Sequence, residues 1–420
     1  MTPPPQAGPA ARPSPTVTAA MRRVFAALTA LMVGIAVDHL VAGHEALQTV
    51  YGLMCGAAAA ALAFIALLVA SASDEGLEVL RRVGLGRPSR GGRAAIVASV
   101  WFVVVGLCVH FAGEAFEPLP GGAWIAGMVL ATALAAMTFH VHHRALDHDG
   151  YRTFNLVAMV LAAGSLAAMS GTSHTDWWTL NFSTLGTGDD LAAFCFNACI
   201  VVAGTGMAGL ARVLTQTLGE PRYRARRGGV LFVRVCIVLL GASLAGVGLV
   251  PIDTATDLHN AFALGAAVCF AVPAVGLKFA VPGVSGRLVA VSLALFAVEV
   301  AAMFLYDGVG LLNLTVFELV AFTLVFVWLI AIAVLTMATV DATRSVPVVA
   351  PRPHVHGRTR RHTLRVLRAA RRRGDHELAR RRVRVPAGTP ARRAARPAVG
   401  FAEGGRPRLS TRRSRVLISS

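Results

Sequence analysis

The chain has 420 residues, 55% of them hydrophobic and only 15% charged, with a mean hydropathy of +0.62. Its formal net charge of +18 sits entirely at the end: residues 341–420 hold 22 Arg against Asp341, Asp375, Glu377 and Glu403, while residues 1–340 balance 18 Lys plus Arg with 18 Asp plus Glu. Apolar residues in long unbroken blocks exclude a soluble globular domain, whose helices each keep a wet face.

Residues 1–20 are rich in Pro and Ala and are expected to be disordered. Arg22 and Arg23 then precede an apolar stretch that resembles a signal peptide, but no small-residue cleavage site follows, so a retained first helix is expected. Ten apolar blocks run along the chain, near 24–43, 49–71, 94–113, 122–141, 153–171, 190–212, 230–250, 259–280, 287–306 and 315–339. A bilayer-crossing helix needs about 20 such residues. The expected fold is therefore an all-α polytopic transmembrane bundle with disordered termini. It is read as a four-helix region at 21–150, a six-helix domain at 151–340 and an Arg-rich tail at 341–420.

The connections between blocks alternate in charge. Arg81, Arg82, Arg87, Arg90 and Arg93 lie at the second, Arg144 and Arg152 at the fourth, Arg222, Arg224, Arg226 and Arg227 at the sixth, and Lys278 and Arg287 at the eighth. The other five carry no Lys or Arg. Because positive residues stay on the cytoplasmic side during insertion, both termini are expected in the cytoplasm of a cell-membrane protein.

The six cysteines all fall in apolar blocks, where no exported disulfide framework forms; Cys195 and Cys199 share a helix face and read as small buried hydrophobes. Glycines crowd the sixth block (Gly204, Gly206, Gly209), and small residues the seventh (Gly241, Ala245, Gly248), which suits close helix packing. His39 and His110 lie near the outer ends of their helices. A haem between them is the alternative to ordinary interhelical hydrogen bonding, although no CxxCH is present. His140, His142 and His143 read as a solvated helix end. No cofactor and no metal are expected. Glu299 sits deep in the ninth block, where a carboxylate is costly and often functional.

The most informative polar residues lie on the lysine- and arginine-free side. The fifth connection holds Asp176, Trp177, Trp178, Asn181 and Ser183; the seventh holds Asp253, with His259 and Asn260 opening the eighth block, and Glu318 opens the tenth. Asp176 or Asp253 with His259 could form an acid–base pair or a metal set. Against that, Asp189, Asp190, Asp257 and Glu318 suit helix N-termini, and Trp177 and Trp178 suit an interfacial aromatic belt. No hydrolase elbow, phosphate loop or HExxH is present.

The run Trp177-Trp178-Thr179-Leu180-Asn181-Phe182-Ser183-Thr184-Leu185-Gly186, the later Gly248-Leu249-Val250-Pro251-Ile252-Asp253, His259-Asn260, and Glu318 with Trp328 resemble the bacterial membrane-protein family known as domain of unknown function 998. The resemblance covers about residues 151–340. That family is distantly similar to eukaryotic six-helix proteins linked to GPI-anchor lipid remodelling and autophagy modulation. It implies a lipid-handling or membrane-organising role without an established activity.

The expected function is thus non-enzymatic binding or organisation of lipid through a pocket of the six-helix domain, with Trp177, Trp178, Asn181, Ser183, Asn260 and Glu318 as ligand-binding candidates. Two alternatives stand beside it. One is a membrane enzyme acting on a lipid or envelope precursor through Asp176, Asp253 and His259; the other is a transporter whose Glu299 carries a coupling proton. The polybasic tail is expected to bind anionic lipid headgroups rather than nucleic acid.

Overall fold

The computed structural model describes residues 15–42, 48–84, 86–117 and 121–344. The Pro-rich start before Pro15, most of the link beginning at His44, and the Arg-rich tail after Arg344 lie outside the described residues. Thirteen helices and no strand are found among the described residues. They are α1 (Pro15–Ala42), α2 (Gln48–Ser71), α3 (Asp74–Arg82), α4 (Arg90–Phe111), α5 (Gly113–Phe116), α6 (Gly122–Ala145), α7 (Asp149–Gly171), α8 (Trp177–Leu180), α9 (Leu191–Thr215), α10 (Gly229–Leu249), α11 (Thr256–Ala280), α12 (Gly286–Met303) and α13 (Leu314–Arg344).

Ten of these are long and apolar enough to cross a membrane, and they coincide with the ten expected blocks; α3, α5 and α8 are short helices in the connections. The molecule is a multi-pass helical membrane protein. One boundary differs from expectation: α1 begins at Pro15 and takes in residues 15–20, which composition alone assigns to the disordered start. Proline suits the first turn of a helix, where its missing N–H has no partner to lose.

Several helix starts follow from a polar residue. Ser89 caps α4 through Gly92 N–H at 3.0 Å, Asp190 caps α9 through Ala193 N–H at 2.7 Å, and Asn313 caps α13 through Val316 N–H at 2.9 Å. His148 caps α7, its Nδ1 accepting from Tyr151 N–H at 3.1 Å. That role needs a free lone pair, and burial indeed pushes His148 below the usual imidazole range.

At the centre stands α7, buried along nearly its whole length. Lipid chains are as apolar as leucine, so close backbone approach rather than water exclusion drives such packing. Gly164 shows how: a Cβ there would lie 2.2 Å from Cys199 Cβ, so only glycine admits α9 at this distance. Cys195 and Cys199 are buried free thiols, acting as the small hydrophobes their positions suggest. Around α7, α1 packs on α7 and α2, α4 on α6, α9 on α7 and α10, and α10 on α11. Residues 21–150 thus pack on α7 through both α1 and α4. Against this frame α13 packs on α12, with Trp328 fully buried and donating from Nε1 to Ser292 Oγ at 3.0 Å.

The arginine-rich end holds a buried polar network that composition does not announce. Arg93, 4% exposed in its side chain, donates to Ala70 O at 3.1 Å and to Ala72 O. Arg152, 6% exposed, donates to Ala72 O at 2.7 Å and pairs with Asp149, which also pairs with Arg22 at 3.2 Å. Two arginines from α4 and α7 thus satisfy carbonyls at the C-terminal end of α2, where the helix dipole is negative. Arg87 beside Asp74 holds that carboxylate below its ordinary range. His142, expected in a solvated helix end with His140 and His143, is instead 1% exposed and packs over the Tyr151 ring at 5.7 Å; His140 and His143 do remain exposed.

Candidate functional site

The segment after α7 folds back into the bundle instead of looping into solvent. The short helix α8 is broken at Asn181, whose extended backbone (φ −160°) leads into a 3₁₀ turn over Phe182–Gly186. Trp177, Phe182 and Leu185 turn inward to 2%, 4% and 1% exposure, and Phe182 meets Phe196 edge-on at 5.1 Å. Trp177 is therefore a core residue and not part of an interfacial belt. Trp178 is half-buried and its indole Nε1 donates to Glu114 Oε2 at 3.1 Å, tying this segment to the α4–α6 connection.

The start of α13 clamps the same segment. Asn313 Nδ2 donates to Trp178 O at 2.9 Å, and Glu318 accepts from the backbone N–H of Phe182. Glu318 is thus not a cap of its own helix; it serves the turn that carries Ser183. Asn181 Oδ1 accepts from Thr184 Oγ1 at 3.2 Å, and Asn197 Nδ2 from α9 donates to Gly186 O at 2.7 Å.

Ser183 and His259 meet inside this clamp, at 9% and 3% exposure. His259 Nδ1 lies 2.7 Å from the Val250 carbonyl, and Nε2 lies 3.1 Å from Ser183 Oγ. A carbonyl only accepts, so Nδ1 carries the proton and Nε2 presents its lone pair. Ser183 Oγ–H therefore donates to His259 Nε2. The two residues are 76 positions apart, and no spacing rule in the chain points from one to the other.

The remaining candidates are placed differently. Asp253 is exposed and accepts from Gly188 N–H at 3.3 Å, while Asp176 is exposed and its backbone carbonyl accepts from Thr179 Oγ1 at 2.8 Å. With both ring nitrogens of His259 engaged by Ser183 and Val250, neither carboxylate serves as its partner. Asn260 and Asp257 are exposed in the first turn of α11. Of the carboxylates suited to helix starts, Asp190 alone makes a capping hydrogen bond. Glu299 lies in α12, with a buried Oε2 that has no hydrogen-bond partner among the described residues. His39 Nδ1 bonds to Ile35 O at 2.9 Å within its own helix, and His110 stands edge-on to Phe111 at 5.2 Å. No group of three or more His, Cys, Asp and Glu that could hold a metal occurs among the described residues.

Between α9 and α10 lies an open groove of about 580 Å³, whose lining does not include Ser183 or His259. Phe194, Val201, Val202 and Leu249 make it apolar, Asn197 and Gly248 line its wall, and Asp189 and Asp190 stand at its polar end. The groove is an open one on the helix surface rather than an enclosed cavity. Every ion pair among the described residues lies at the opposite, arginine-rich end of the bundle, so no cation neutralises these two aspartates. Comparison with protein-family models, curated proteins and solved structures yields no match.

Proposed function

We propose that this membrane protein binds lipid in the α9–α10 groove, with an acyl chain along the apolar wall and the headgroup at Asp189 and Asp190. The groove itself carries the reading: an open, mostly apolar groove between two spanning helices, with unneutralised carboxylates among its lining residues. Lipid is the one solvent component that presents a long apolar chain and a polar head at that depth. Two aspartates at the polar end disfavour an anionic headgroup and favour one that ends in an ammonium. The absence of Lys and Arg from this side of the bundle supports an outward orientation, and hence a lipid of the outer leaflet. The resemblance of residues 151–340 to a family distantly similar to lipid-remodelling proteins points the same way.

The test is native mass spectrometry of the detergent-purified full chain beside Ala198→Trp, which fills the groove from α9. Wild type is expected to retain phospholipid, and the variant to lose it by about tenfold or more, equivalent to at least about 1.4 kcal/mol. Asp189→Asn, which removes charge without touching a cap, should reduce the preference for ammonium over anionic headgroups. Identical lipid occupancy in wild type and Ala198→Trp would remove the groove from consideration.

One observation favours a second reading. A carboxylate in mid-span with a buried, unpartnered oxygen, as at Glu299, suits a site that takes up and releases a proton. Proton-coupled flux into proteoliposomes, abolished in Glu299→Gln, is the result expected of a transporter; flux unchanged in that variant rules out this role for Glu299.

A further inference from the structure

The Ser183–His259 pair has more than a packing geometry. Nucleophilic catalysis by serine needs a hydroxyl whose proton is held by a base, and a base whose other side is fixed by a third group. All three are present: Ser183 Oγ is 3.1 Å from His259 Nε2, and the Val250 carbonyl at 2.7 Å fixes the imidazole with its proton on Nδ1. In this tautomer the lone pair faces the hydroxyl. A carboxylate is the commoner third group, but a carbonyl imposes the same tautomer.

The position selects the substrate. Val250 follows directly on Leu249, and Gly186 is held by Asn197; Leu249 and Asn197 both line the groove. His259 opens a spanning helix, so the pair sits where apolar and polar zones of the bundle meet. The ester carbonyls of a glycerolipid lie at that level of a bilayer, between chains and headgroups.

We propose that Ser183 and His259 are a nucleophile–base pair for acyl transfer from an ester-bearing lipid. Ser183 Oγ bonds to the ester carbonyl carbon while its proton passes to His259 Nε2. The ester C–O bond then breaks, and His259 returns the proton to the departing alcohol, leaving an acyl group on Ser183. Water, deprotonated by His259, attacks the acyl carbon; Ser183 Oγ leaves and regains the proton. The sum is ester plus water giving carboxylic acid plus alcohol. The chemistry rests on the pair alone, whereas the lipid substrate rests on the groove reading.

The experiment treats the full-length protein in native membranes with two fluorophosphonates, one short and one bearing a long alkyl chain, and locates adducts by peptide mass spectrometry. Both are expected to modify Ser183, the long one faster, with the rate falling about 100-fold in His259→Gln. Equal rates for the two probes would keep the Ser–His chemistry and sink the groove as its substrate channel. No adduct at Ser183, or an adduct whose rate ignores His259→Gln, overturns the proposal and leaves the pair as a lock between the 3₁₀ turn and α11. Ser183→Cys guards against loss of fold in the histidine variant. Its thiol, next to His259, should be alkylated at neutral pH about tenfold faster than the six natural cysteines. Alkylation no faster than theirs also overturns the proposal.

Discussion

Arg152→Ala is expected to lower the stability of the bundle by about 3 kcal/mol, at the low end of what removing one member of a buried ion pair costs. The low end applies because the pair is lopsided: the Arg152 side chain is 6% exposed, whereas Asp149 is half exposed and keeps Arg22. The cost has two parts. Asp149 loses its closer cation, and the Ala72 carbonyl loses the 2.7 Å bond from Arg152, one of the two guanidinium contacts at the end of α2. The Ala72 carbonyl keeps its bond from Arg93, so this second part is the net worth of one hydrogen bond, roughly 0.5–1.5 kcal/mol.

Arg152→Lys separates these contributions. A lysine keeps the charge but cannot hold Ala72 and Asp149 with the fixed fork of a guanidinium. It should recover roughly half of the loss. The measurement is SDS-titrated unfolding in mixed micelles, followed by far-UV circular dichroism. An Arg152→Ala protein as stable as wild type would mean that the α2–α4–α7 network carries no stability. The same titration on Arg81→Ala, a residue 74% exposed in its side chain, should give a change within about 0.5 kcal/mol.

The contrast between Arg81 and Arg152 shows where the amino-acid sequence stops speaking. Both count equally in the charge alternation from which an orientation is expected, and that pattern uses only which connection a residue occupies. Whether an arginine ends in solvent or against the carbonyls of another helix depends on the lateral arrangement of helices, to which hydropathy is blind. The same gap governs the candidate site. The ten spans, the capping role of Asp190 and the buried cysteines all follow from local composition, and each is where composition puts it. His259 has Ser183 and a carbonyl as its partners rather than Asp176 or Asp253. Two exposed carboxylates drew attention because charge is conspicuous. A serine 76 residues away did not, because its significance exists only once α11 is set beside the 3₁₀ turn. Trp177 and Trp178 are adjacent and chemically identical, yet one enters the core and the other reaches Glu114. The break at Asn181 decides that division, and no periodicity encodes it.

Gly204→Ile should be strongly damaging, exceeding about 3 kcal/mol, the upper end of ordinary overpacking. A Cβ at Gly204 would stand 2.5 Å from both Gly241 O and Ala245 N, and a Cβ at Gly241 would stand 2.5 Å from Gly204 O. These are backbone atoms on both sides of the crossing and cannot rotate away, so α9 and α10 must separate. Separation forfeits the dispersion contacts along the whole pair, each only about 0.1–0.2 kcal/mol but numerous, and in a bilayer no hydrophobic term replaces them. Gly209→Ala is the control on the same helix. Nothing lies within 4 Å of a Cβ there, so the change should be neutral or stabilising by up to about 1 kcal/mol through helix propensity. Composition places Gly204, Gly206 and Gly209 on equal terms; the structure assigns the first to α10, the second to Phe25 and Val157, and the third to open space. The crossing also reaches the proposed function, since Val201, one turn before Gly204, and Gly248, two turns beyond Gly241, line the groove. A Gly204→Ile protein that stays folded should therefore release its lipid in native mass spectra. Unaltered stability together with unaltered lipid occupancy would contradict the close α9–α10 contact itself.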